Sequence, residues 1–131
     1  MRIARGRRSG APTEERGPTF TGRVWADPVL AEEDGIVVNH VFFEPGARTH
    51  WHTHEVAQVL YVVAGSGWLQ VRGGAGGPLT PGDTAHIPAG EEHWHGATGS
   101  TAMLHLAVSL GATEWLDEVS DEDYEAALHG A

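Results

Sequence analysis

A chain of 131 residues, 40% of them hydrophobic, is the size of one domain with one compact core. Its net charge of -10 is unevenly spread: five Arg against Glu14 and Glu15 put residues 1–16 at +3 and the remainder at -13. The acidic body argues against nucleic acid or an anionic membrane as main partner. The absence of cysteine excludes disulfides, thiolate nucleophiles and Cys-ligated zinc or iron–sulfur sites.

Residues 1–18 are rich in Arg, Gly, Pro and Ser and are expected to form a flexible basic arm, with the domain proper over 19–131. The arm has no apolar segment of the signal-peptide kind, and no later run approaches transmembrane length, so a cytoplasmic protein is expected. From Thr19 the chain becomes short apolar runs punctuated by Gly and Pro. Strands are expected over 19–25, ended by Asp27-Pro28, and over 36–43, followed by a turn at Glu44-Pro45-Gly46-Ala47. A strand over 48–53 carries histidines. The near-continuous apolar run 56–63 reads as a strand covered on both faces. Ala64-Gly65-Ser66-Gly67 turns into a strand over 68–71, and the Gly-rich stretch 73–78 reads as a loop; no strand–Gly–helix context makes it a nucleotide fingerprint. Short strands follow over 84–87 and from His93. Residues 101–110 alternate, with Met103, His105 and Ala107 on one face and Leu104, Leu106 and Val108 on the other. Residues 113–119 read as extended, anchored by Trp115. Ser120 is placed to cap a helix through Leu128, with Asp121, Glu122 and Asp123 in its first turn and Gly130 closing it. Together these elements describe an all-β antiparallel barrel or sandwich, its core over 36–110, with a C-terminal strand and short helix over 113–129.

His50, His52 and His54 recur at every second position, which places them on one side of a strand rather than on a helix face. Imidazoles crowded on one side of a strand repel when protonated and are costly to bury unpartnered; a divalent metal removes both problems. Two segments then share a layout: Gly46-x5-His52-x-His54-x3-Gln58-x6-Gly65 and Gly82-x5-Pro88-x-Gly90-x2-His93. Both spacings resemble the paired motifs of the cupin family, a small jelly-roll barrel. That resemblance implies His52, His54, Gln58 and His93 as the ligands of one metal ion. Gln58 stands where cupins usually carry Glu, and Ala97 where many carry Asn.

Three neutral imidazoles and a neutral amide leave the +2 charge of the ion uncompensated. Such a centre attracts an anion and favours Lewis-acid chemistry over oxygen activation. Periodicity leaves His105 equally free to face inward, as a proton carrier, or outward. His95 shares a face with His93 and is a partner to the ligands or a substitute for one. His50 is expected at the mouth, where Thr49 and Asn39 are placed to line the opening. Trp51 and Trp94 point away from the histidine face and wall it from behind.

Within the cupins the chain is similar to the small bacterial manganese-dependent hydroxynitrile lyases. The resemblance runs through Phe43-Glu44-Pro45-Gly46-Ala47-Arg48-Thr49, Trp51-His52-Thr53-His54, Gly90-Glu91-Glu92-His93-Trp94-His95-Gly96-Ala97 and Met103 with His105, and it includes Gln58. It implies manganese as the metal, with iron, nickel or zinc also fitting the ligand types. It also implies His105 as the acid/base in splitting a cyanohydrin into an aldehyde and HCN. The candidate catalytic residues are therefore His105, His95 and Thr49, acting on a small-molecule substrate. The alternatives are an oxygen-dependent dioxygenase, a non-catalytic module whose metal anchors a small acid, and a decarboxylase or isomerase working through an enolate. The apolar strands and five Trp fit a homo-oligomer, dimer or tetramer.

Overall fold

The computed structural model describes residues 1–6 and 12–130, so Arg7 and Arg8 of the expected arm lie outside the described residues. In chain order the strands are β1 (Glu14–Glu15), β2 (Phe20–Thr21), β3 (Val24–Glu33), β4 (Ile36–Phe43), β5 (Arg48–Thr49), β6 (His52–His54) and β7 (Ala57–Gly65). They continue as β8 (Gly67–Val71), β9 (Gly76–Leu79), β10 (Thr84–Pro88), β11 (His93–Ala97), β12 (Met103–Leu110) and β13 (Thr113–Trp115), and helix α1 (Asp121–His129) follows. Among the described residues these form two antiparallel sheets. The first runs β1–β3–β4–β12–β7–β10. The second runs β13–β6–β11–β5–β2, with β8 paired to β11 and β9 to β8. This is the expected all-β jelly roll with a short C-terminal helix.

Alternation decides what lies between the sheets. Val24, Val41, Phe43, Leu60, Val62, Ile87 and Met103 point inward and pack as one apolar cluster; burying each such side chain stabilises the fold by about 1.5–3 kcal/mol. The same inward parity on β6, β7, β11 and β12 delivers histidines and Gln58 further along the barrel. A second cluster, Trp51, Trp94, Val119 and Tyr124, sits behind the second sheet under α1.

The helix forms and docks as its sequence dictates. The Ser120 hydroxyl accepts from the Asp123 amide, acidic residues occupy the first turn, and Gly130 closes the helix at φ 65°. Tyr124 donates to the Ala97 carbonyl at 2.6 Å. The Arg48 guanidinium lies 4.4 Å above the Tyr124 ring and donates to the Val119 carbonyl and Asp121. β11 is therefore buried along its whole length, apolar cover on one face and histidines on the other.

Four expectations change. Asp27-Pro28 does not end a strand; Gly22, at φ 80°, makes the break instead, and β3 continues through Pro28. β1 pairs with β3 only at Trp25 and Ala26, so Pro28 lies where no ladder hydrogen bond to β1 is required, and the register to β4 shifts beside it. The stretch 73–78 is not all loop: β9 begins at Gly76, pairing with β8, and a side chain there would strike the Gln70 carboxamide. The outer face of β7 is not covered within one chain, since Tyr61 and Val63 are 45% and 44% exposed. The arm ends before Pro18, because Glu14 and Glu15 are already in the first sheet. No helix among the described residues is long and apolar enough to cross a membrane.

Candidate metal centre

Five buried histidines and one buried glutamine converge between the sheets. His52 and His54 come from β6, His93 and His95 from β11, Gln58 from β7 and His105 from β12. His93 is paired in register with His52 across β11 and β6, and Ser109 with Gln58 across β12 and β7. The His52 ring lies 4.2 Å from that of His93, 5.0 Å from that of His54 and 5.3 Å from that of His95.

The hydrogen bonds assign the outward ring nitrogens. A carbonyl oxygen only accepts, so His52 Nδ1 donates to the His50 carbonyl and His93 Nδ1 to the Glu91 carbonyl, each at 2.9 Å. In the neutral rings both Nε2 atoms then carry lone pairs directed inward. His54 Nδ1 is held 3.1 Å from the Thr113 hydroxyl, and His54 Nε2 is buried with no partner among the described residues. Gln58 donates through Nε2 to the Ser109 hydroxyl at 3.2 Å, which turns its oxygen inward. That oxygen lies 3.0 Å from His93 Nε2. Two lone pairs at this separation repel, and a cation beside both turns the repulsion into coordination. Outward Nδ1 anchors with inward Nε2 atoms are the usual support for metal-binding imidazoles. The residues present fit a single divalent ion.

Burial and mutual repulsion keep these rings uncharged. Desolvation, then the neighbouring His93, holds His52 well below the ordinary imidazole pKa and lowers His54 to about 4. Burial lowers His93 as well, and burial with His105 alongside lowers His95 strongly. Burial lowers His105 to about 4. Neutral imidazoles are the form that binds metal. They also set an acid sensitivity for the metal-stripped protein. The unfolded chain takes up protons near 6.5 that the folded site refuses until about 4, so stability present at neutral pH is lost as pH falls through that window. Thermal melts of metal-stripped protein should show a falling Tm from neutral pH to about 5, with a shallower fall in His54→Ala; identical slopes would count against a proton-refusing site.

His105, which periodicity left undecided, faces inward and is fully buried, with Nε2 3.0 Å from His95 Nδ1. His95 Nε2 and His105 Nδ1 are both buried with no partner among the described residues. His52, His93 and His95 each offer one nitrogen within 4.8 Å of the others. His95 therefore stands between His105 and the ligand atoms. Thr49 is not at the opening: pairing of β5 with β2 and β11 buries it, and its hydroxyl accepts from the His95 amide at 3.3 Å. The same hydroxyl lies 3.5 Å from His52 Nδ1, so Thr49 touches both the His95 backbone and the His52 ring. His50 contributes its carbonyl, while Asn39 lines the cavity as expected.

The cavity beside these groups has a volume of about 540 Å³. Trp115 forms part of its rim, with its ring 4.7 Å from that of His52. Sequence reading gave no role to Thr113, Ser109 or Trp115 beyond the last as an anchor. Their contacts depend on the pairing of β13 with β6 and of β12 with β7, for which no local motif exists.

Residues 39–109 match the cupin domain family, more than half of the chain and all six converging side chains. The chain belongs to the cupin family. It is 45% identical over 126 residues to an (R)-mandelonitrile lyase of Granulicella tundricola, covering 90% of this chain and 96% of that protein. Among solved cupin structures, a cupin-like protein of Thermotoga maritima superposes with a TM-score of 0.81 at 40% identity, covering 86% of this chain and 90% of that one. The polyketide cyclase RemF of Streptomyces resistomycificus shares the fold at 22% identity, with a TM-score of 0.72 over 97% of this chain and 94% of its own.

Proposed function

We propose that this cupin is a manganese-dependent hydroxynitrile lyase, cleaving a cyanohydrin to an aldehyde and HCN and running the reverse addition. The observation that carries this reading is one cavity holding both a carboxylate-free ligand set and an uncharged pair of hydrogen-bonded imidazoles. The 45% identity to a mandelonitrile lyase supports it. His52, His54, Gln58 and His93 would hold the ion. The chemistry it supplies when bound is Lewis-acid stabilisation of the anion that develops.

The imidazole pair supplies the proton chemistry. When both rings are neutral, one proton lies in the His95–His105 hydrogen bond and one remains. If His95 Nδ1 donates to His105 Nε2, His95 Nε2 carries a lone pair and His105 Nδ1 a proton; the other tautomer reverses both ends. In either state one end of the pair is a base and the other an acid. The hydroxyl proton of the cyanohydrin passes to the basic end, the O–H electron pair becomes the carbonyl, and the C–C pair leaves with cyanide. Returning a proton from the pair releases HCN. Thr49 fixes the His95 backbone, and burial excludes water as a competing proton acceptor.

Manganese-loaded protein incubated without oxygen with mandelonitrile should release benzaldehyde at a rate well above a His52→Ala control. Equal rates, or turnover that needs and consumes oxygen, would overturn the lyase reading. Gln58→Glu tests the charge balance. Its carboxylate offsets part of the ion's charge, so divalent ions should bind roughly ten-fold tighter and cyanohydrin turnover should fall. Unchanged metal preference and rate would remove Gln58 from the account. We further propose a cytoplasmic homo-oligomer, dimer or tetramer, acting on small molecules rather than nucleic acid or membranes. The exposed Phe42, Tyr61 and Val63 and the lack of cysteine support that reading.

A further inference from the structure

Three aromatic rings, Phe20, Phe43 and Trp115, line the cavity, and two of them pack against its histidines. Phe43, fully buried on β4, lies 5.2 Å from the His105 ring and 5.9 Å from the His95 ring. Trp115, on β13, packs on the His52 ring. Phe20 joins the two, 6.4 Å from Phe43 and 5.5 Å from Trp115. The aromatic arc thus runs from the proton-carrying pair to a metal-ligand ring, with Phe20 at its centre.

Phe20 arrives by an unusual route. β1 belongs to the first sheet and β2 to the second, so residues 16–19 cross from one sheet to the other alongside the cavity. The crossing is pinned by Phe20 N–H donating to the Gly17 carbonyl and His50 N–H to the Thr19 carbonyl. Phe20 and Trp115 both fall outside the segment 39–109 shared with the cupin family. The metal-ligating and proton-carrying side chains lie within that shared segment, while two of the three aromatic walls come from flanking chain.

We propose that Phe20, Phe43 and Trp115 form an aryl-binding subsite, and that Phe20, carried by the crossing segment, sets the preference for substrates with an aromatic ring on the reacting carbon. A carbon placed between the imidazole pair and the ligand cluster directs its substituent onto this arc. Tilted ring pairs with centroids 4.5–7 Å apart favour an aromatic guest beyond its apolar area. The carbonyl or cyanohydrin carbon then faces the polar end.

The kinetic arm rests on the lyase reading; the binding arm does not. Full-length, manganese-loaded Phe20→Ala and Phe20→Leu are compared with the parent on mandelonitrile and on butyraldehyde cyanohydrin. The ratio of kcat/KM for the aryl over the aliphatic substrate should fall by roughly three- to ten-fold, with KM carrying most of the change. Equal losses on both substrates, or an unchanged ratio, would mean that Phe20 only supports the fold, and the proposal fails. Phe20→Leu keeps the test open if the Ala variant does not fold. Benzamide, which the lyase reaction does not consume, probes binding by saturation-transfer NMR. Phenyl signals in the parent that weaken in Phe20→Leu support the subsite even where no cyanohydrin is cleaved; no phenyl contact in the parent overturns it.

Discussion

In His52→Ala, bound divalent metal should fall far below one equivalent per chain, and the proposed cyanohydrin turnover should drop to background. His52 sits at the centre of the site, its ring against those of His54, His93, His95 and Trp115. The His50 carbonyl commits its Nδ1 to donation and leaves Nε2 as the inward lone pair. Removing that nitrogen deletes one of three proposed imidazole ligands. Loss of a group that merely orients a ligand costs about 10–100-fold in affinity, and loss of the ligand itself should cost more than 100-fold. Metal content after dialysis against a weak chelator reads this directly. His50→Ala is the control, because only its backbone carbonyl is used, and it should keep its metal. A His52→Ala protein that retains one equivalent and turns over would place the ion elsewhere.

His105→Phe should leave metal content near one equivalent while lowering kcat by about 10²–10⁴-fold, the contribution of a positioned acid/base. Phe keeps the apolar packing against Phe43 and removes the nitrogen that meets His95. Because the two imidazoles share one hydrogen bond and one mobile proton, they act as a unit. The double variant with His95→Ala should be little worse than the more damaged single variant, as groups acting together give non-additive losses. Additive losses would mean that the rings act separately. Loss of metal in His95→Ala alone would instead assign His95 to coordination, the arrangement in which His52, His93 and His95 hold the ion.

The legible parts of this protein were those carried by short-range spacing. A strand period of two put His50, His52 and His54 on one side, and the resemblance of the two Gly- and Pro-bounded segments to the paired cupin motifs implied His52, His54, Gln58 and His93 as the ligand set. The N-cap Ser120 and the Gly130 stop were legible for the same reason, and both hold. The roles of Thr49, His95 and His105 were not separable in that way. Each lies on a strand whose parity was readable, yet which face looked inward depended on the partner sheet. Once β12 lay between β4 and β7, His105 was inside and its nitrogen met His95. Once β5 lay between β2 and β11, Thr49 was behind the site rather than at its mouth.

Pro28 and Gly76 teach the same lesson from outside the site. Proline and glycine are read as breakers because of what they do to an isolated strand. Here one sits where β3 is spared a neighbour's ladder, and the other where Gln70 leaves no room for a side chain.

The sequence by itself determined which side-chain types the candidate site offers, their spacing and the lack of a carboxylate at position 58, since all three reside in covalent order. Only the tertiary structure decided which lone pairs meet, that His95 stands between His105 and the His52/His93 pair, and that Phe20 and Trp115 line the cavity. Those are contacts between residues distant in the chain. Their geometry follows from sheet pairing and packing, for which the residues themselves carry no local signal.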